Sequence, residues 1–530
     1  MRGQFLTSSV YSFENMRNGN FLYVDKTEYI WKLIEPANAM YFLSRPRRFG
    51  KSLTLSTLKA VFQGRKELFK GLALYDKPYD WKPYPVIHLD FSNCDIQTPE
   101  ELTEYLRCQL EDVARAFNVP LRDSRLSPCF ERLIEDVAGD GKVVILIDEY
   151  DKPVLNNICS PQASQILQVL KGFYSNIKKT EKLQRFAFLT GVSRFSHVSV
   201  FSDLNNLTDI SMHERYAAIV GYTQEELEFY FGDRIEKLVE QNNSSKSAML
   251  AKIKEWYNGY RFEENSTTVY NPVSLVRFFD EGGKFNTYWF QTGTPSFLLN
   301  LIKEKKFNCA TDLESPVGSA FFNAFEISNI DPKILLYQTG YLTIDRSADE
   351  SVPFTDRTVH LFYLHFPNKE VKYSFNDSLL EYFAAVKEQN ADLLRVKLVT
   401  AAGNGKIDDF MGILRNIFAN IPYDIHCREE FYYQSLFYLI CYMFQVYAQA
   451  EVRTNDGRID MTVEVGDWIY IIEFKLDKSA EEALMQIKKK NYAEKFLQKG
   501  KRIMLVGVNF DSGKGQIAEY LAEELISCRE

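Results

Sequence analysis

The stretch that decides the fold is "RPRRFGKS", Arg45 to Ser52. Its end, Gly50-Lys51-Ser52, supplies what a phosphate-binding loop needs where its helix begins: a lysine for the terminal phosphates and a hydroxyl for Mg²⁺. Its beginning differs, because Arg45 stands where such loops carry their first glycine and Pro46 has no backbone N–H. The stretch is either a phosphate-binding loop whose arginines compensate by binding phosphate, or a basic turn that leads into a surface helix.

The segments on both sides of this stretch favour the phosphate-binding loop. The apolar run "AMYFLS" (39–44) predicts a buried strand before it, and Leu55, Leu58 and Phe62 have the spacing of one helix face after it. Further apolar runs predict more strands of the same sheet: "PVIHLDF" (85–91), "VVILID" (143–148), "FAFLTGV" (186–192) and "AAIVG" (217–221). Because helical segments separate these runs, we expect an α/β fold with a parallel sheet covered on both faces.

Polar residues follow two of these predicted strands. Asp148-Glu149 ends the run at 143–148, where a P-loop ATPase carries an aspartate for Mg²⁺ and a glutamate that polarises the attacking water. Thr190 and Arg194 end the next strand, where polar or basic residues sense the γ-phosphate. The alternatives are an acidic strand end at the surface, and a hydroxyl and a guanidinium that bind loop carbonyls.

Five motifs together resemble the bacterial AAA-ATPase-like family over about residues 10–343: "FLYVDKTEYI", "FLSRPRRFGKSLTLSTL", "ILIDEYDKPV", "LTGVSRFS" and "WYNGYRF". The resemblance implies an ATP-binding P-loop core of the additional-strand type, related to the signal-transduction ATPases with numerous domains. Within it we expect Ser52 and Asp148 to bind Mg²⁺ and Glu149 to be catalytic. The residues expected to bind the nucleotide are Arg47, Arg48, Phe49, Gly50, Lys51, Ser52, Leu53, Asp148, Thr190 and Arg194.

A second set of charged residues lies near the C-terminus, in "GRIDMTVEVGDWIYIIEFKLDK" (457–478). Strand periodicity puts Glu473 and Lys475 on one face and Phe474 on the other, and an adjacent strand would bring Asp460 beside Glu473. Two carboxylates about 4 Å apart repel each other by about 4 kcal/mol at an effective dielectric near 20, and a divalent cation removes that penalty. Lys475 would then orient a water. The alternative is a solvated strand face with alternating charges.

The order of predicted elements around these charges, α-β-β-β-α-β, fits one small domain. "EFYYQSLFYLI", "EVRTNDGRID", "IYIIEFKL" and "EEALMQIKKKNYAEKF" resemble the PD-(D/E)xK nuclease superfamily. The resemblance implies a site with Asp460 and Glu473 as metal ligands. Lys475, Gln486 and Glu430 are the expected catalytic residues.

The chain of 530 residues is too long for one core, and its pattern changes along the sequence. We expect a P-loop domain at 1–222, a helical or winged-helix lid at 223–343, a mostly helical connection at 344–420 and a nuclease-like domain at 421–530. Thr223 and Glu226 have capping-box spacing at the start of the lid. In the last domain we expect a long helix at 479–498 and a terminal helix.

Composition limits the partners and the location. A net charge of −8 argues against wholesale coating of nucleic acid, although Lys488–Lys490, Lys495, Lys499 and Lys501 are locally basic. These lysines either contact a phosphate backbone or form a solvated helix face. The sequence contains no CxxC, so a zinc site is not expected. It contains no signal-peptide pattern and no apolar run of about 18 residues, so membrane insertion is not expected and we expect a cytoplasmic location. Homo-oligomerisation is left open.

Two functions fit these motifs. The first is ATP-regulated, Mg²⁺-dependent phosphodiester cleavage of DNA or RNA, which would make the protein a hydrolase. The second is an ATP-dependent signalling switch whose C-terminal domain binds nucleic acid or a protein partner without cleaving it.

Overall fold

The chain folds into two compact units, one of residues 1–305 with 316–372 and one of residues 306–315 with 373–530. The computed structural model describes residues 4–194, 206–289, 296–305, 307, 312–313, 315–322, 330–351, 355–384, 388–419, 430–443, 447–454 and 457–525. The four-part division expected from the sequence stays a prediction.

A five-stranded parallel sheet forms the core of the first unit. Its strands are β1 (Ala39–Ser44), β2 (Val86–Asp90), β3 (Val143–Asp148), β4 (Gln184–Gly191) and β5 (Thr208–Asp209). Their order is β2-β3-β4-β1-β5, and each neighbouring pair is parallel. Because β4 lies between β1 and β3, the carboxyl ends of these three strands meet at one edge. The predicted α/β fold with a P-loop-type parallel sheet is confirmed.

Helices cover this sheet. They are α1 (Phe13–Asn18), α2 (Thr27–Ile34), α3 (Lys51–Phe62), α4 (Pro99–Phe117), α5 (Leu126–Ala138), α6 (Lys152–Asn156) and α7 (Ala163–Lys179). The longest, α4, shows how the sequence sets its bounds: the Thr98 hydroxyl accepts a hydrogen bond from the Glu101 N–H, and Asn118 ends the helix in the left-handed region. Its buried residues Leu102, Leu106 and Leu110 recur every four positions and face the core.

The predicted strand at Ala217–Gly221 is wrong, because the fifth strand is Thr208–Asp209. The apolar run instead forms a buried turn, in which the Ile219 N–H binds the Tyr216 carbonyl at 3.2 Å. Gly221 has a φ of +81°, and a Cβ there would lie 2.7 Å from Val269 Cγ2. The run is apolar because it packs beneath the phosphate-loop segment, where its Gly221 N–H binds the Phe49 carbonyl.

Helices and a small sheet follow in the same unit. The elements are α8 (Gln224–Gln241), α9 (Lys246–Tyr257), α10 (Pro272–Asp280), α11 (Ser296–Glu304), α12 (Pro332–Thr339), β6 (Val317–Gly318), β7 (Thr343–Ser351) and β8 (Thr358–His365). The strands pair in the order β6-β8-β7. The predicted capping box is confirmed, since the Thr223 side chain binds the Glu226 N–H and the Glu226 side chain binds the Thr223 N–H. We keep the name lid for the described residues of 223–343 in this unit.

The second unit contains another five-stranded sheet and its covering helices. Its elements are most of α13 (Lys369–Ala384), then α14 (Glu388–Gly403), α15 (Ile407–Ala419), α16 (Glu430–Met443), β9 (Tyr447–Thr454), β10 (Gly457–Val465), β11 (Trp468–Leu476), α17 (Ala480–Lys489), β12 (Arg502–Asp511) and β13 (Gln516–Leu525). The order is β13-β12-β11-β10-β9, with β11 and β12 parallel and the other neighbours antiparallel.

Two helices predicted in this unit differ from the structure. The predicted terminal helix is wrong: residues 516–525 form β13, paired with β12 through the turn in which the Gly515 N–H binds the Asp511 carbonyl at 2.8 Å. Edge pairing overrides the helix propensity of its Ala, Glu and Leu residues. The predicted helix at 479–498 ends early, because Asn491 has a φ of +47° and a 3₁₀ segment, Tyr492–Lys499, follows.

Both faces of this sheet are covered. On one face Tyr470 stacks on Phe410 and Phe474 contacts Phe437. On the other face the apolar side chains pack against α17 and the 3₁₀ segment. Glu473 is 1% exposed. The alternative drawn from the sequence, a solvated strand face, is therefore excluded for this residue. In the described part of the chain, no helix combines the length and apolar character needed to cross a membrane.

Candidate functional sites

The stretch at Arg45–Ser52 joins a strand to a helix, as its pattern predicts. β1 ends at Ser44 and α3 begins at Lys51, with Gly50 as the residue before it at a φ of +102°. The helix thus presents its N-terminus, with its partial positive charge, at the carboxyl edge of the sheet. Arg47 is exposed and Arg48 is half-buried, and Arg48 adopts a φ of +66° that non-glycine residues rarely take.

Lys51 is buried within this loop. Its Nζ donates hydrogen bonds to the carbonyls of Arg45 and Pro46, each at 2.9 Å. Burial lowers the pKa of Lys51, and the nearby carboxylates of Glu149 and Asp148 partly offset that effect. The lysine, the helix start and the acidic pair are therefore brought together at one place.

The acidic residues at the end of β3 are oriented by their neighbours. Asp148 is 3% exposed, and its Oδ1 accepts hydrogen bonds from the Thr190 hydroxyl at 2.6 Å and from the Glu149 N–H at 3.0 Å. Burial raises the pKa of Glu149 above its ordinary range, against the opposing effect of Lys51. Thr190 therefore contacts the predicted metal ligand, and its role in sensing the γ-phosphate stays a prediction.

Arg194 is held away from the acidic pair. Its guanidinium forms an ion pair with Asp209 at 2.7 Å and donates to the Phe322 carbonyl at 3.3 Å. Its side chain is 10% exposed. The contact with the Phe322 carbonyl corresponds to the alternative in which the guanidinium binds loop carbonyls. The role of Arg194 as a phosphate sensor stays a prediction.

The sequence analysis missed Asp151, which links the ends of β3 and β4. Its carboxylate accepts hydrogen bonds from the N–H groups of Val192 and Ser193 and from the Ser193 hydroxyl, the last two at 2.5 Å. Gly191 makes this approach possible, because a Cβ there would lie 2.5 Å from the ring of Tyr150. The only sequence signal was a third acidic residue in "DEYD", which does not reveal its partner.

A cavity of about 70 Å³ borders the first turn of α3. It is lined by an N-terminal segment that includes Val24 and Lys26, by Leu53 of α3, by the buried turn that includes Val220, and by Pro272 of the lid. Lys26 is held in place by its Nζ, which binds the Ala218 carbonyl at 2.9 Å and Glu226 at 2.7 Å. The cavity is adjacent to the helix start where phosphates are expected.

The second unit brings its predicted residues together across β10 and β11. Met461 pairs with Ile472, so the register places Asp460 opposite Glu473. Asp460 Oδ2 accepts a hydrogen bond from the Phe474 N–H at 2.8 Å. Lys475 Nζ donates to Glu473 at 3.4 Å and to the Phe474 carbonyl at 2.9 Å.

Two helices complete this cluster. Gln486, on α17, donates its amide to Glu473 Oε1. Glu430, the first residue of α16, accepts the Leu476 N–H at 3.1 Å. Gln434, one turn further along α16, donates to the Asp460 carbonyl at 3.1 Å. All five residues predicted for this site therefore lie around the adjacent ends of β10 and β11.

Glu473 is the electrostatically unusual member of the cluster. Burial, followed by repulsion from Asp460, raises its pKa to about 7 despite Lys475. Burial also raises the pKa of Asp460. Glu473 Oε2 is buried and has no hydrogen-bond partner among the described residues, a condition that native carboxylates rarely tolerate. In the described part of the chain no three His, Cys, Asp or Glu side chains group as a metal site.

Three of the lysines singled out at the end of α17 and after it form ion pairs. Lys488 binds Glu523, and Lys499 and Lys501 both bind Glu464, at distances of 2.5 to 2.8 Å. This pairing favours the solvated helix face over a phosphate-binding surface for these three lysines.

The fold and these two clusters define a class of protein in which a P-loop ATPase-like domain precedes a nuclease-like domain. Residues 8–201 match the family model described as a predicted AAA-ATPase, and residues 428–520 match that of the PD-(D/E)XK nuclease superfamily. Both predicted resemblances are confirmed. The chain is also 36% identical over 539 residues to an Azotobacter chroococcum mcd 1 protein described as "uncharacterized protein in vnfD 5'region". The match covers 98% of this chain and 99% of that protein, so the two proteins belong to one family. The family models show this chain to be an AAA-ATPase-like protein with a C-terminal PD-(D/E)XK domain.

Proposed function

We propose that this protein binds ATP with Mg²⁺ in its first unit and that nucleotide state regulates phosphodiester cleavage in its second. The two family matches support a nucleotide-binding protein with a nuclease-like domain. Because ATP is supplied inside the cell, the proposed location is the cytoplasm. DNA is the proposed substrate by resemblance, with RNA as the second substrate to be tested.

In the ATP site the chain supplies charge and hydrogen-bond donors. Arg47, Arg48 and the N–H groups of Gly50 to Leu53 would bind phosphate, with Lys51 at the terminal phosphates. Ser52 and Asp148 would hold Mg²⁺, which neutralises charge on the phosphates when bound. Glu149 would orient the attacking water and take its proton, a role that its raised pKa favours. The cavity beside α3 is the proposed place of the base.

The observation that carries the nuclease proposal is Glu473 Oε2, a buried carboxylate oxygen without a donor beside a second carboxylate. Mg²⁺ is commonly bound through one or two carboxylates and keeps several waters, so Asp460 and Glu473 are sufficient to hold it. Bound there, it would polarise a phosphodiester and lower the pKa of a water. Lys475 would orient that water, and Gln486 fixes the other oxygen of Glu473.

The test uses the purified full chain with labelled single- and double-stranded DNA and with RNA. Each is incubated with Mg²⁺ or Mn²⁺, with and without ATP. Asp460→Asn and Lys475→Met should abolish cleavage and keep ATP binding. Glu464→Gln is the matched control, because Glu464 is another carboxylate of β10 but binds Lys499 and Lys501. Full cleavage by Asp460→Asn would refute the proposed site.

We propose as a second candidate an ATP-dependent switch that binds nucleic acid or a protein without cleaving it, and the paired lysines favour its protein-binding form. Lys488, Lys499 and Lys501 are bound to glutamates of the same unit, so these three cations are already neutralised by the protein's own carboxylates. Retention of nucleic acid without cleavage in every metal and nucleotide condition would support this switch over the nuclease.

A further inference from the structure

Arg45, at the position of the usual first glycine, is a buried structural residue of the loop. It is 1% exposed. Its Nη1 donates to the carbonyls of Ser44 at 2.8 Å and Ser211 at 2.6 Å, and its Nη2 donates to the Tyr216 carbonyl at 3.3 Å. The idea that this arginine binds phosphate is therefore wrong. The fork of the guanidinium instead fastens the start of the loop to the segment after β5.

The same guanidinium also contacts the lid. Its Cζ lies 4.1 Å from the centroid of the Phe262 ring, a distance at which a cation and an aromatic face attract each other. Phe262 packs in turn against Phe49, at the far end of the loop, with ring centroids 5.4 Å apart. One lid side chain therefore contacts both ends of the phosphate-binding loop.

Other lid residues contact the loop between these two ends. Gly340 lies so close to Pro46 that a Cβ on it would be 2.7 Å from Pro46 Cβ. The Trp289 indole N–H donates to the Arg47 carbonyl at 3.3 Å. The loop is thus held by the lid along its length.

The contacts reach the phosphate-binding lysine. Lys51 Nζ is bound by the carbonyls of Arg45 and Pro46, which belong to the two loop residues that touch Phe262 and Gly340. A shift of the lid that moved Arg45 or Pro46 would therefore also move the groups that position Lys51.

We propose that Arg45 is a positioning residue that makes the shape of the phosphate-binding loop, and hence nucleotide affinity, depend on the lid. The inference rests on the proposed binding of ATP at this loop. A glycine at position 45 would match the usual loop but would remove the contacts to three carbonyls and to Phe262. A lysine would keep the charge but lose the planar fork and the stacking geometry.

The experiment compares Arg45→Gly, Arg45→Lys and the lid variant Phe262→Leu with the wild-type full chain. Affinity for a fluorescent ATP analogue should fall about tenfold or more in both Arg45 variants, and by several-fold in Phe262→Leu. Arg185→Lys is the matched control. Arg185 also donates to two carbonyls, those of Pro36 and Ile34, and lies 5.7 Å from the Phe62 ring, but it stands at the opposite end of β4 and should keep wild-type affinity.

A second measurement separates coupling from mere stability. Hydrogen exchange of the peptide that covers residues 258–264 should slow when ATP binds to the wild type. It should respond little in Arg45→Gly at saturating ATP, whereas Arg185→Lys should respond fully. If Arg45→Gly does not fold, Arg45→Lys and Phe262→Leu decide the outcome.

Three results distinguish the inference from the proposed function. Wild-type affinity in the Arg45 variants, or a wild-type exchange response to ATP in them, overturns the inference and leaves ATP binding intact. If the Arg45 variants lose both affinity for ATP and the exchange response to ATP, the inference is supported. Failure of the wild type to bind ATP overturns both.

Discussion

Replacement of Thr190 by valine tests how the proposed ATP site is organised. The Thr190 hydroxyl is fully buried and donates to Asp148 Oδ1 at 2.6 Å. Valine has nearly the same shape, so the change removes one hydrogen bond to a buried carboxylate without creating a cavity. The other donor to that oxygen, the Glu149 N–H at 3.0 Å, remains.

The size of the effect follows from this geometry. A hydrogen bond to a charged group contributes about 1.5–3 kcal/mol, and the remaining donor reduces the loss toward the lower part of that range. We therefore expect Thr190→Val to lower the free energy of unfolding by about 2 kcal/mol. Because Asp148 is the proposed metal ligand, affinity for Mg²⁺–ATP should fall about tenfold, which corresponds to 1.4 kcal/mol. Affinity for ATP in EDTA should not change.

The assay is calorimetric or fluorescent titration with ATP and with ADP, each with Mg²⁺ and with EDTA. Thr190→Ser keeps the hydroxyl and should restore both affinity and stability. Equal weakening with and without Mg²⁺ would contradict the role of positioning Asp148. A loss confined to ATP and absent for ADP would instead support the direct γ-phosphate contact that the sequence suggested.

Three further predictions address other groups of the first unit. Glu149→Gln should bind ATP as the wild type does but lose phosphate release in a turnover assay, because it cannot accept the proton of the attacking water; unchanged turnover would remove Glu149 from the mechanism. Glu370 accepts hydrogen bonds from the Ser274 hydroxyl and the Trp289 N–H, and burial raises its pKa to about 7 from 4.5. The neutral form therefore stabilises the fold below about pH 4.5, and that stability is lost by up to about 3 kcal/mol as pH rises through 7; thermal melts of Glu370→Gln should lack this component, and an identical pH profile would contradict the assignment. Asp151→Asn should lower stability by about 1–3 kcal/mol in the same melts, because it cannot accept all the donors of Val192 and Ser193; a melting temperature equal to that of the wild type would refute this.

The sequence predicted those features that depend on local pattern. Continuous apolar runs followed by Gly50-Lys51-Ser52 and by Asp148-Glu149 identified the carboxyl edge of a parallel sheet. Alternation along 468–476 placed Glu473 and Lys475 on one face of a strand, and the antiparallel register then brought Asp460 opposite Glu473. These predictions needed only the periodicity of a strand and the meeting of parallel strand ends.

The features that were missed depend on contacts between distant residues. Arg45 is explained by carbonyls at positions 211 and 216 and by a ring at position 262, which no local pattern connects to it. The segment 516–525 contains good helix formers, yet it forms a strand because β12 offers an edge and a glycine turn reverses the chain. Likewise, "AAIVG" is apolar because it is buried, and burial alone does not distinguish a strand from a packed turn.

The two acidic sites differ in how many protein hydrogen-bond donors their carboxylate oxygens have, and this difference has a functional consequence. Asp148 Oδ1 already accepts hydrogen bonds from two protein donors, so this oxygen is satisfied before any cation arrives. Glu473 Oε2 has none among the described residues, while Asp460 stands opposite and raises its pKa. A cation therefore relieves a larger electrostatic cost in the second unit than in the first. It follows that Mg²⁺ should stabilise the second unit against unfolding even without nucleotide, whereas stabilisation of the first unit should require ATP together with the metal.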